Sequence, residues 1–129
     1  MKKILLVIAN YKDFRQGLFD EKISPITKKY CDKHGFDYVV SSGVDTGRKS
    51  PIWQKFFYVR NLLTEGRLTD GDKVTVLDAD MVFVKDDEPY ETDKSFSYAI
   101  DNGNTHCMGN YTITVNDWSI DLIDRILSE

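Results

Sequence analysis

Residues 74–84 read VTVLDADMVFV, a run that is apolar except for one threonine and the carboxylates of Asp78 and Asp80. Continuous apolar runs are typical of strands that are covered on both faces, as in a parallel sheet. We therefore predict a buried strand over 73–77 with the two aspartates where it ends. Because an unpaired buried carboxylate costs several kcal/mol, both side chains need a partner at this position.

A divalent cation is one such partner. Side chains two residues apart on an extended chain point the same way, so Asp78 and Asp80 could bind one ligand together. Mg²⁺ and Mn²⁺ prefer oxygen ligands, usually one or two carboxylates with substrate phosphates and water. The alternative is a strand-ending turn in which both aspartates are solvated or accept hydrogen bonds from backbone amides. The apolar residues on both sides of the two aspartates favour the metal interpretation, but the sequence leaves both interpretations open.

The rest of the chain predicts strands that alternate with helices. A second apolar run at 4–9 predicts the first strand, and the polar stretch 10–19 predicts a loop. Further predicted strands cover 37–41, 96–100 and 111–115. Predicted helices cover 24–34, 51–63 and 118–127. This alternation predicts an α/β fold with a mostly parallel sheet flanked by helices, in a single compact domain over 1–129.

Several local signals refine the predicted helices. Ser24 is expected as an N-cap before Pro25, and Gly35 as the left-handed residue that ends that helix. The second helix has an apolar face at helical spacing, formed by Ile52, Phe56, Val59 and Leu63. Lys55 lies off that face, where it would meet a phosphate near the carboxyl edge of the sheet or simply be solvated.

The last predicted helix is amphipathic. Asp117 is expected to cap it, and Asp121 is expected to pair with Arg125 one turn later. Its expected apolar stripe is formed by Trp118, Leu122 and Ile126.

Composition and charge exclude several classes of protein. The net charge of −4 does not favour binding to DNA or RNA. No stretch approaches the roughly 20 apolar residues that span a bilayer, so we expect a soluble, cytoplasmic protein. The two cysteines, Cys31 and Cys107, have no metal-finger spacing. We expect two free thiols, with a disulfide between them as the alternative.

Three blocks of the sequence resemble a known family. They are a helix with Trp53 and Lys55, the strand LDAD at 77–80, and GNYTITVNDWS at 109–119. In order and spacing they are similar to the family of fungal α-galactosyl- and mannosyltransferases and plant xyloglucan xylosyltransferases. The resemblance covers about 4–127. It implies a Rossmann-like GT-A fold, a UDP- or GDP-sugar as donor, and Mn²⁺ or Mg²⁺.

The resemblance also implies roles for particular residues. Asp78 would contact the ribose or the metal, Asp80 would bind the metal at the diphosphate, and Lys55 would lie near the donor. Asp101 would lie near the transferred sugar or the acceptor; it is the candidate catalytic residue, with a plain strand-end residue as the alternative. The residues implied to lie near the nucleotide base and ribose are Ala9, Asn10 and Tyr11.

The chain also departs from that family. Its members carry a longer C-terminal part that completes the acceptor site and supplies a metal-binding histidine, whereas His106 here does not match that motif and is read as a loop residue. We expect a metal-dependent glycosyltransferase that uses a carbohydrate or other hydroxyl acceptor. The alternative is a non-catalytic nucleotide-sugar-binding module that needs a partner, and a homo-oligomer could complete an open site. A nucleotidyltransferase is disfavoured because residues 10–17 are not glycine-rich.

Overall fold

The structure, a computed structural model, describes residues 1–9, 16–42, 54–79, 81, 83, 87, 91–100 and 106–128. Its strands are β1 (Lys3–Ala9), β2 (Asp37–Ser42), β3 (Lys73–Asp78), β4 (Phe96–Ile100) and β5 (His106–Thr114). Its helical elements are α1 (Gln16–Leu18), a π-helical turn (Phe19–Ile23), α2 (Ser24–His34), α3 (Gln54–Thr64) and α4 (Asp117–Ser128).

The strands of this part of the chain form one mixed sheet in the order β2-β1-β3-β5-β4. β1 pairs in parallel with both β2 and β3, while β5 runs antiparallel to β3 and β4. Four strands therefore share one direction and β5 alone opposes them. The predicted mostly parallel α/β sheet is confirmed. β5 begins at His106, earlier than predicted, so His106 belongs to a strand and not to a loop.

Each face of the sheet has its own apolar core, because successive side chains of a strand point to opposite faces. One face is covered by α3 and α4, and its cluster includes Ile4 and Leu6 of β1. The other face is covered by the π-helical turn and α2, and its cluster includes Leu5 and Val7. We call these the α3/α4 face and the α2 face.

The region before α2 differs from the prediction. Residues 16–19 were expected in a loop but are helical, because Phe19 and Ile23 are buried against the α2 face. The backbone N–H of Ser24 donates to the carbonyl of Phe19, the five-residue spacing of a π-helix. Ser24 is therefore not an N-cap. Its hydroxyl shares a hydrogen bond of 2.9 Å with the Tyr38 hydroxyl.

The end of α2 is as predicted. Gly35 has a φ of 75°, and the N–H of Phe36 donates to the carbonyl of Cys31 at 3.0 Å. Cys31 is a free, buried thiol, which confirms the prediction for this cysteine. Burial, followed by the nearby Asp32 charge, raises the pKa of Cys31 to about 11. The thiol is therefore protonated at neutral pH. The side chain of Cys107 lies outside the described residues.

α3 and α4 bury partly different faces from those predicted. In α3, Phe56 and Val59 are buried as expected, but Leu62 is buried more fully than Leu63. In α4, Ile123 and Ser119 are buried, whereas Trp118 is 57% exposed. Of the predicted stripe, Ile126 packs against the core but Trp118 does not, and the fully buried row lies one residue further along the chain than Trp118 and Leu122.

The start of α4 has a reciprocal cap. The N–H of Ser119 donates to Asn116 Oδ1 at 2.9 Å, and the N–H of Asn116 donates to Ser119 Oγ at 3.0 Å. Asn116, not Asp117, is therefore the N-cap, in the arrangement of a capping box. The predicted ion pair between Asp121 and Arg125 is confirmed at 2.8 Å.

Candidate functional site

The carboxyl ends of β1, β2 and β3, which pair in parallel, lie at one edge of the sheet. Ile8 of β1 is in register with Asp78, and Ala9 is in register with Ser42 at the end of β2. In open α/β sheets, ligands bind beyond the carboxyl ends of the strands. The last residues of β1, β2 and β3 therefore define the candidate site, which we call the carboxyl edge.

Strand alternation decides which way Asp78 points. Val74 and Val76 of β3 belong to the core of the α3/α4 face, so Asp78 extends the same row. α3 follows β2 in the chain, and its first turn lies at the carboxyl edge. The ammonium of Lys55, in that turn, contacts Asp78 Oδ1 directly. The structure thus brings together two of the predicted site residues.

The ion pair is asymmetric in its exposure. The Lys55 side chain is 10% exposed, whereas the Asp78 side chain is 43% exposed. Of the two alternatives for Lys55 off the core face, the solvated one was wrong. A long aliphatic stem can be buried while its charged end reaches a carboxylate. A buried ammonium needs such a partner, because leaving it unpaired is strongly destabilising.

The chain turns directly after Asp78. The N–H of Met81 donates to the carbonyl of Asp78 at 3.1 Å, and Ala79 lies in the turn. The extended geometry expected from Asp78 onward is therefore replaced by a tight turn. Met81 and Phe83 then pack on the α2 face, where the Phe83 ring stacks on Tyr30 with centroids 3.8 Å apart.

Of the remaining predicted site residues, the structure describes Ala9 but not the others. Ala9 is at the carboxyl edge as the last residue of β1. The predictions that fall outside the described residues are those for Asn10, Tyr11, Asp80 and Asp101.

Asn110 is a candidate that the sequence did not single out. It pairs with Leu77, next to Asp78, and this register puts its side chain on the α2 face. Its Oδ1 atom is buried and has no hydrogen-bond partner among the described residues. Buried acceptors are normally satisfied, and this one lies on the face of the sheet opposite to the Lys55–Asp78 pair. Only the pairing of β5 with β3, which local patterns do not reveal, brings Asn110 to the carboxyl edge.

Comparison with known proteins supports the fold. No protein-family model matches the sequence, and no curated protein matches it. A solved structure matches 99% of the chain with a TM-score of 0.72 and 10% sequence identity. It is the crystal structure of a glycosyltransferase involved in the glycosylation of the major capsid of PBCV-1.

The two chains share a fold. Our chain spans 66% of the length of that glycosyltransferase.

In the part of our chain that the structure describes, no helix has the length and apolar character needed to cross a bilayer.

Among the described residues of the carboxyl edge, Asp78 is the one that offers a carboxylate to a divalent cation. Within the described ranges, no three His, Cys, Asp or Glu side chains come together as a ready metal site. Mg²⁺-type sites often use one or two carboxylates and complete their coordination with substrate phosphates and water. The half-exposed Asp78 carboxylate suits that type of site, although Lys55 already contacts one of its oxygens.

A separate cavity of about 540 Å³ lies toward the other end of the strands, on the α2 face. It is bordered by Lys3 and Lys73 at the strand starts, by Thr75 and Thr112, and by the segment 91–94. The two lysines donate to the backbone carbonyls of His34 and Thr92, so they join neighbouring segments. We place the candidate site at the carboxyl edge because ligands of open α/β sheets bind beyond the carboxyl ends of the strands, whereas this cavity lies toward the opposite ends.

Proposed function

We propose that the chain is the nucleotide-sugar-binding domain of a glycosyltransferase. It would transfer a sugar from a UDP- or GDP-sugar to a carbohydrate or other hydroxyl acceptor, with Mn²⁺ or Mg²⁺. The observation that carries the proposal is the Lys55–Asp78 pair at the carboxyl edge of a fold shared with a glycosyltransferase. The likeness to the fungal and plant family is part of this proposal.

Each residue of the pair has a role that follows from its position. The exposed part of Asp78 offers a carboxylate to a cation or a ribose hydroxyl. Lys55 holds that carboxylate in place and supplies positive charge where a diphosphate would bind. When bound, a divalent cation would neutralise the charge that develops on the diphosphate leaving group.

The further residues belong to the same proposal. Asp80 would complete the cation site with Asp78, and Asp101 is the proposed catalytic residue. The proposed contacts to the nucleotide are made by Ala9, Asn10 and Tyr11.

Thermal shift with a panel of nucleotides tests donor binding. The panel contains UDP, GDP and their hexose and pentose conjugates, each with and without Mn²⁺. A ligand that binds only the folded state stabilises it according to its concentration over its dissociation constant. We therefore expect a higher Tm with one nucleotide series, and a larger increase with Mn²⁺ present.

Asp78→Asn should abolish the ligand-dependent increase. The matched control is Asp32→Asn, which removes an exposed aspartate that also pairs with a lysine, Lys28, at 3.5 Å on α2. That control should keep the full increase. An unchanged Tm with every nucleotide, or equal increases in the two variants, would contradict the proposal.

Transfer is tested separately from binding. Incubation of the bound donor with simple glycosides and Mn²⁺ should release nucleoside diphosphate, measured by chromatography. Donor binding without release would favour the alternative of a non-catalytic binding module.

A further inference from the structure

We propose that Lys55 keeps divalent cations away from Asp78 until a diphosphate binds, so that metal and nucleotide enter the site together. This inference rests on the proposed function above. It concerns the order in which the site fills, and it starts from the observation that an ammonium already lies where a cation would bind.

The charges at the carboxyl edge make metal binding without nucleotide unfavourable. Lys55 contacts Asp78 Oδ1, and its side chain is only 10% exposed. A divalent cation on the same carboxylate would lie a few ångströms from this ammonium. Repulsion between charges at such distances is much stronger in a partly buried site than in water. Among the described residues of the carboxyl edge, Asp78 provides the carboxylate, and because Lys55 already neutralises it, it attracts a second cation weakly.

A diphosphate reverses this balance. Its oxygens carry several negative charges, which can neutralise both the ammonium and a divalent cation. Magnesium-type ions commonly bind proteins through one or two carboxylates together with substrate phosphates. Lys55, in the first turn of α3, lies at the carboxyl edge through its contact with Asp78, where its ammonium can donate to a phosphate oxygen. The diphosphate therefore supplies the negative charge and the oxygen ligands that the neutralised Asp78 carboxylate does not offer a cation.

Direct metal binding distinguishes this order from independent metal binding. Mn²⁺ is titrated into the protein and followed by electron paramagnetic resonance, alone and with saturating UDP or GDP. For the unmodified protein, we expect weak Mn²⁺ binding alone and binding at least about tenfold tighter with the nucleotide. Lys55→Met should bind Mn²⁺ alone about tenfold more tightly than the unmodified protein, because the repelling charge is gone. It should bind the nucleotide more weakly.

Two further variants separate the charge of Lys55 from its packing. Lys55→Arg keeps the charge and should keep the weak binding of Mn²⁺ alone. Lys28→Met removes a lysine that pairs with Asp32 on the exposed surface of α2, and should leave all affinities unchanged. Circular dichroism checks that each variant is folded. If Lys55→Met does not fold, Lys55→Arg still reports on the charge.

The outcomes separate this inference from the proposed function. If the unmodified protein and Lys55→Met bind Mn²⁺ alone equally well while nucleotide-sugars still raise the Tm, the inference is wrong and the proposed function stands. If Mn²⁺ binding by Lys55→Met is weaker than by the unmodified protein, the inference is also wrong, because Lys55 would then support the cation. If no nucleotide raises the Tm, the proposed function itself fails.

Discussion

At the scale of single residues, Asp72 is the buried carboxylate that connects three segments of the chain. Its side chain accepts hydrogen bonds from the N–H of Lys2 at 2.8 Å and from the N–H of Thr69 at 2.9 Å, and its carbonyl accepts from Val115. Asp72→Asn should lower the free energy of unfolding at pH 7 by about 1–3 kcal/mol, since buried donors lose a charged acceptor. Urea denaturation measures the loss.

The effect of Asp72 should depend on pH in a defined direction. Burial alone would raise the pKa of its carboxyl, but the hydrogen bonds from Lys2 and Thr69 outweigh burial and lower the pKa. A lowered pKa in the folded state gives stability that is present above the unfolded value, about 3.9, and is lost as pH falls through the folded value. The difference between the protein and Asp72→Asn should therefore shrink below about pH 4.

Asp70→Asn is the control for both measurements, because Asp70 is exposed in the same turn. It should change the free energy of unfolding by less than about 0.5 kcal/mol at pH 7. A loss in Asp70→Asn as large as that in Asp72→Asn would show that the turn, and not the buried carboxylate, is responsible.

The sequence predicted the place of Asp78 but not the burial of Lys55. The end of an apolar run marks where a strand stops, so Asp78 could be assigned to the carboxyl edge from local pattern alone. Helical spacing put Lys55 off the core face, and only the packing of α3 against β3 brings its ammonium to Asp78. Asn110 escaped notice for a similar reason, since its position depends on the register with Leu77.

At the scale of elements, the N-terminus of α4 distinguishes two candidate caps. Asn116 accepts the N–H of Ser119 at 2.9 Å, whereas the sequence had favoured Asp117. Asn116→Ala should cost about 1–2 kcal/mol of stability. Asp117→Ala should cost about 0.5 kcal/mol, from the lost charge in the first turn. Thermal denaturation of both variants shows which substitution costs more stability. A larger loss in Asp117→Ala than in Asn116→Ala would mean that Asp117 is the cap.

The pairing of β3 with β5 includes a buried hydrogen bond between side chains. The hydroxyls of Thr75 and Thr112 lie 2.9 Å apart, and both residues are buried. Thr75→Val leaves the Thr112 hydroxyl without its partner and should cost about 1–3 kcal/mol. The double variant with Thr112→Val should cost less than the sum of the single variants, by about 0.5–3 kcal/mol.

Urea denaturation of the four proteins gives this coupling. Both threonines border the cavity on the α2 face, so water in that cavity is a competing partner for a lone hydroxyl. Additive losses would mean that water replaces the missing hydroxyl and that the direct hydrogen bond contributes little.

The helices and strands were predictable where the sequence carries a clear local pattern. The strands at 4–9 and 73–77 and the helix ending at Gly35 follow from apolar runs and a glycine, and the structure has all three. The π-helical turn was not predictable, because only Phe19 and Ile23 are apolar in a polar stretch. Tertiary packing of those two side chains overrides the local polar pattern. β5 extends beyond its apolar part for a similar reason, since pairing with β4 continues to His106.

At the scale of the whole molecule, β1 belongs to both apolar cores. Leu5 faces the core under α2 and Leu6 faces the core under α3 and α4, and both are 0% exposed. A strand shared in this way couples the two layers, because neither core is complete without it. The sequence could not show this sharing directly, although the unbroken apolar run at 4–9 is its signature in a doubly covered strand.

This coupling predicts that the chain unfolds as one cooperative unit, as expected for a single domain. Leu5→Ala and Leu6→Ala should each lower the free energy of unfolding by about 2–5 kcal/mol with little change in the urea m-value. Amide hydrogen exchange in α2 and α4 should report losses of similar size in either variant, because opening one layer exposes the strand that the other requires. Val40→Ala, on edge strand β2 where Val40 is 43% exposed, should have a much smaller effect. If Leu5→Ala instead accelerates exchange in α2 alone while α4 keeps its protection, the two layers are independent, and β1 supports each core without joining them.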